Sequence, residues 1–165
     1  MFKIDEYVVH MTGGICKVEN IDSLDIPGAD KSKKYYLLVP IKGTGSKVYV
    51  PVDNDSAIRP ITTSDEAEKL IDEIPAIEEL TIENDRFREA KYKEVIKSCD
   101  LHELVGVLKN LYFRRLQRTS EGKKNTATDD KYFKIAEEKL LSELSFVLHK
   151  NREEIKSIVA DRITL

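Results

Sequence analysis

At about Thr62 the hydrophobic period of this 165-residue chain changes, and that change constrains the fold more than any single motif. Before it, apolar residues alternate as on a strand; after it they recur at three- and four-residue steps, as on one face of a helix. The two patterns need two differently built cores, so the expected class is α+β. Residues 1–62 read as a β-rich domain and residues 63–165 as a helical one. A 41% apolar fraction beside 35% charged residues describes a charge-rich globular protein rather than a disordered chain.

The first half predicts five short strands, over residues 6–11, 15–22, 35–41, 47–52 and 57–61, separated by turn signals. That spacing suits a small five-stranded barrel of the Tudor or SH3 kind. Residues 15–22 have no clean apolar face, with Ile15, Lys17, Glu19 and Ile21 on one side and Cys16, Val18 and Asn20 on the other. A strand that curls around a small barrel reads this way. Residues 35–54 are the most informative stretch. Gly43 and Gly45, around Thr44, allow the positive φ of a hairpin loop. Beyond them Val48, Val50 and Val52 share one face, and Lys47, Tyr49 and Pro51 the other. The valines belong to a core, so Lys47 and Tyr49 look outward. Pro51 has no N–H and places the strand at a sheet edge. Such an edge is either an ordinary guarded one or a place where a partner adds a strand.

In the second half the spacing predicts about five helices. Thr63 with Glu66 has capping-box spacing and opens the first, through residue 73. Pro75 and the acidic residues 78–83 interrupt the pattern. Asn84 caps a helix through residue 98, with Phe87, Tyr92, Val95 and Ile96 inward. Asp100 with Glu103 opens the next, whose inward residues are Leu101, Leu104, Val105, Leu108, Leu111 and Tyr112. A basic connection, residues 114–128, precedes a long helix capped by Thr126 or Thr128, with Phe133, Ala136, Leu140, Leu141, Leu144 and Val147 inward. Asn151 with Glu154 opens the last helix.

Net charge is −3, but it is unevenly spread. Residues 65–83 hold 1 Lys or Arg against 8 Asp and Glu, whereas residues 84–134 hold 13 against 8. That local excess is either a solvated mixed-charge surface or a patch for a phosphate backbone. Arg86, Arg88 and Lys91 lie near the start of the helix over residues 84–98. Arg114, Arg115 and Arg118 lie at the end of the next, followed by Lys123, Lys124 and Lys131. An antiparallel turn between those helices gathers these cations into one patch, with Asp85 at its rim. Contacts to phosphate rather than bases imply weak, sequence-tolerant DNA binding.

No enzyme is expected. His10, His102 and His149 lack zinc-site spacing, and no metal or cofactor site is anticipated. Asp129 and Asp130 are adjacent in a helix, so their side chains point about 100° apart. Cys16 and Cys99 read as ordinary thiols of a reducing cytoplasm. No signal-peptide pattern or membrane-spanning apolar run is present, and no small-molecule substrate is implied.

Taken in order, these pieces resemble the CarD family of bacterial transcription regulators. The resemblance is carried by Phe2-Lys3-Ile4, Tyr7-Val8-Val9 and Gly14, then by residues 35–39 and by 48–52 with Pro51. It continues in residues 84–100 and in Leu111-Tyr112-Phe113-Arg114-Arg115. It implies that the Tudor-like domain pairs strand to strand with the β subunit of RNA polymerase, through Lys47, Val48, Tyr49, Val50 and Pro51, with Leu24 also at the polymerase contact. It also implies that the helical domain contacts promoter DNA at the upstream edge of the melting bubble, tuning open-complex stability. Some members carry an arginine where this chain has Tyr49, and another near Leu24. Well-studied members place a tryptophan wedge in the minor groove, and the position lining up with it is Asp85. A carboxylate cannot act as an apolar wedge and is repelled by phosphates. The alternative is a protein–protein adaptor whose barrel binds a partner strand and whose helices never touch nucleic acid.

Overall fold

The computed structural model describes residues 1–43 and 45–165; Thr44 of the hairpin-loop reading lies outside them. They form two compact units, Met1–Ile61 and Thr62–Leu165. The class is α+β: a curled five-stranded antiparallel sheet, then five α-helices among the described residues.

In the first unit β1 (Tyr7–His10), β2 (Gly14–Asp22), β3 (Tyr35–Pro40), β4 (Val48–Pro51) and β5 (Ile58–Pro60) are arranged in the order β4-β3-β2-β1-β5. Val8, Cys16, Val18, Tyr36, Leu38, Val50 and Ile58 form the core. The ambiguous faces of β2 have a local cause. Its register with β3 shifts between Val18 and Asn20, so Glu19 is an extra residue and the inward parity changes. Cys16 and Val18 point inward before the bulge, and Ile21 packs on the same core after it. Burial pushes the Cys16 thiol up to about 11, which keeps it protonated at neutral pH.

The second unit contains α1 (Ser64–Glu73), α2 (Arg88–Ser98), α3 (Leu101–Ser120), α4 (Ala127–Leu148) and α5 (Arg152–Ile163). Thr63 and Glu66 form a reciprocal capping box on α1. Asp100 caps α3 and Thr126 caps α4. Asn151 accepts the Glu153 N–H, so the cap of α5 uses a different residue from the expected Glu154. The core is built from Leu104, Leu108, Leu140, Leu141, Leu144 and Ile155, all essentially inaccessible. Tyr132 rather than Phe133 is the fully buried aromatic at the start of α4; Phe133 is only half-buried.

The reading of residues 84–98 as one helix with Phe87 inward is corrected. Asn84 caps a 3-10 turn, Asp85–Phe87, and α2 begins only at Arg88. The 3-10 turn winds more tightly than an α-helix, so it rotates Phe87 off the buried stripe of Tyr92, Val95 and Ile96. Phe87 is 65% exposed.

Candidate functional site

Each unit presents one surface. On the sheet, β4 pairs only with β3 among the described residues, leaving its other side open. The Val52 N–H donates to the Lys34 carbonyl at 2.9 Å, which fixes the phase of the antiparallel ladder. Val50 faces Tyr36 and Val48 faces Leu38 in the same phase, so their main-chain groups turn toward β3. Those of Tyr49 turn outward, and Pro51 beyond it offers a carbonyl but no N–H. The open edge therefore carries its complete donor–acceptor pair in β4 at Tyr49. The Tyr49 side chain is exposed and stands opposite Leu37 on the outer face, while Val50 is buried. Lys47 is exposed just ahead of the strand, Val48 and Pro51 are half-buried, and Leu24 is half-buried in the segment after β2.

In the helical unit, the starts of α2 and α4 meet α3 around Asn110 and Arg114. Arg88 donates through Nε and Nη2 to Asp85 Oδ1, and through Nη1 to Asn110 Oδ1 at 3.1 Å. Arg114 donates to Asp129 Oδ2 at 2.7 Å and lies 4.0 Å from Asp85. Asp85, Arg88, Arg114 and Asp129 are thus one alternating charge network. Arg88 and Arg114 were both expected in the cationic patch, yet each has a carboxylate partner and a mostly covered side chain. The Arg88 guanidinium, helped by Arg114, holds the Asp85 carboxyl below the usual carboxylate range. A phosphate would have to compete with these internal partners.

The other cations differ in how free they are. Lys91 pairs with Glu94, and Lys123 with Glu121. Arg118 donates twice to the Lys124 carbonyl, and Lys131 sits over the Tyr132 ring. Arg86 and Arg115 are exposed and enter no ion pair among the described residues. The Lys124 side chain is also exposed. Phe87 lies next to Arg86, and Phe113 and Leu116 flank Arg115 on exposed positions of α3. The surface is therefore aromatic and cationic rather than a plain basic patch. Among the described residues no group of three metal-ligating side chains occurs, and no helix is long and apolar enough to cross a membrane.

Family comparison decides what kind of protein carries these surfaces. A model of the CarD-like/TRCF RID domain matches residues 2–62, and a model of the CarD C-terminal domain matches residues 69–160. The chain belongs to the CarD family. Members are RNA polymerase-interacting transcription regulators, and the two matches cover both units of this one. No curated protein gives a match.

Asp85, expected from the resemblance to stand where other members place a wedge tryptophan, serves here as counterion to Arg88. Sequence reasoning missed three further residues, Gly106, Lys109 and Asn110, which fasten residues 77–82 to α3. The Leu80 N–H donates to the Gly106 carbonyl at 2.9 Å, and Asn110 Nδ2 donates to the Leu80 carbonyl at 2.9 Å. Lys109 Nζ donates to the carbonyls of Pro75 and Ile77. Burial of that ammonium holds its pKa below the usual lysine value. The available signal was a glycine inside an otherwise apolar helix, followed by two polar residues at the margin of its buried face.

Proposed function

We propose that this CarD-family regulator binds the β subunit of RNA polymerase by adding a strand of that subunit to β4. The open β4 edge, with the Tyr49 main chain turned outward above a buried Val50, is the observation that carries the reading. Strand addition supplies affinity through main-chain hydrogen bonds and specificity through the side chains that flank them. Tyr49 takes the part in side-chain contact that an arginine takes in other members.

The helical unit contacts promoter DNA through Phe87 and Arg86 at the tip, with Arg115, Lys124 and Lys131 on the rim. The exposure of Phe87 supports this part: an aromatic ring two residues from the wedge position is free to meet an unstacked base step. Binding of this kind is weak and sequence-tolerant, and it falls steeply with salt. Together the two contacts tune the lifetime of the open complex.

A second reading has one observation in its favour. The internal ion pairs of Arg88 and Arg114 shrink the cationic surface, as suits an adaptor whose helices bind no nucleic acid. Fluorescence anisotropy with duplex and forked promoter DNA, with and without polymerase, separates the two. The regulator reading expects binding to forked DNA that polymerase enhances and salt abolishes. Absence of any DNA contribution at low salt leaves the adaptor.

A further inference from the structure

We propose that Asn110 is the positioning residue of the DNA-contacting tip, a role that rests on the reading of Phe87 and Arg86 as that tip. Its side-chain amide is satisfied in only one orientation. Oδ1 faces two donors, Arg88 Nη1 at 3.1 Å and the Tyr92 hydroxyl at 2.7 Å. Nδ2 faces the Leu80 carbonyl, a pure acceptor, at 2.9 Å. Rotating the amide by half a turn sets Nδ2 against Arg88 and Oδ1 against Leu80, and both pairings are lost.

Through Arg88 the same residue reaches the tip. Arg88 forks onto Asp85, the first residue of the 3-10 turn, and the Asn84 side chain accepts the Arg86 N–H at 2.9 Å from the other side. The segment leading into that turn is held at Leu80, whose N–H and C=O are both bound by α3, one by Gly106 and one by Asn110. One amide on α3 thus fixes both the approach to the tip and its first residue. Phe87 itself is 65% exposed, so packing does little to hold its turn in place. A side chain already fixed in its binding orientation loses less freedom on contact, and affinity gains accordingly.

The test uses the full chain and a forked promoter duplex at low salt. Asn110→Leu is expected to lower affinity about tenfold, and Phe87→Ala by about the same factor. The double variant is expected to bind no more weakly than either single one, because both remove the same contact. Val159→Ala, a core truncation in α5, serves as the control that lowers stability without touching the tip, and its DNA affinity is expected to stay at the wild-type value. Amide relaxation of residues 85–87 is expected to report new mobility in Asn110→Leu but not in Val159→Ala. If Asn110→Leu fails to fold, Asn110→Ser, whose hydroxyl cannot reach all three partners, takes its place. Wild-type affinity in the Asn110 variant, or losses at 87 and 110 that add in full, overturns the assignment while leaving the DNA reading intact. Wild-type affinity in Phe87→Ala overturns the DNA reading itself, and the Asn110 assignment with it.

Discussion

Asp85 Oδ1 accepts two hydrogen bonds from Arg88, from Nη2 at 2.7 Å and from Nε at 3.1 Å. The Asp85 carboxylate is thereby an internal counterion that orders the tip from the first residue of its 3-10 turn. It also makes the tip sensitive to acid. Arg88 holds the Asp85 carboxyl low, and the Tyr132 hydroxyl with Lys93 does the same for Glu89. Both groups have a lower pKa folded than unfolded. Their contribution is complete above the unfolded values of about 4 and is lost as pH falls through the folded ones. Denaturant titrations across that range are expected to show a shallower acid limb for Asp85→Asn than for wild type.

Arg114 has a structural role. Its partner Asp129 is almost fully buried, so Arg114→Ala strands a carboxylate and is expected to destabilise the helical unit by about 3 kcal/mol. Chemical denaturation of the full chain measures this. An unchanged midpoint for the helical transition counts against the network.

The proposed DNA contact draws its cationic part from the exposed side chains. Reversal of Arg86, Arg115 and Lys124 to Glu is expected to leave the melting temperature within a few degrees of wild type. It is expected to flatten the salt dependence of DNA affinity by roughly 0.9 per phosphate contact removed. Affinity measured at several salt concentrations reads the slope directly, and a slope equal to wild type excludes these residues.

Gly106 lets the segment 77–82 approach α3. A Cβ there would lie 3.2 Å from the Glu78 carbonyl oxygen, which belongs to the backbone and cannot simply swing aside. Gly106→Ala is expected to destabilise by about 1–3 kcal/mol despite the better helix propensity of alanine. A stabilised variant contradicts the close approach.

The β4 edge, the capping residues and most of the helical core were legible because each depends on local chemistry. Valine alternation before Pro51, the Thr63–Glu66 box and the three- and four-residue steps of α3 all express period and reach along one element. The bulge at Glu19 left only an ambiguity, since an extra residue is visible as a lost period but not as a cause. The tip was misread because Phe87 fits a helical stripe in sequence, while a 3-10 turn of three residues carries no period of its own. The pairing of Arg114 with a buried carboxylate was hidden for another reason. Partners 15 residues apart, such as Arg114 and Asp129, meet only through packing of α3 against α4.

The lifetime of the promoter open complex, measured by competitor challenge with wild type, Tyr49→Asp and Phe87→Ala, reads both proposed contacts in one assay. The wild-type protein is expected to change that lifetime, and both variants are expected to lose the effect. Capture of the polymerase β subunit is expected to fail only for Tyr49→Asp. Full effect on lifetime in both variants, or β-subunit capture by a folded Tyr49→Asp protein equal to wild type, contradicts the proposal.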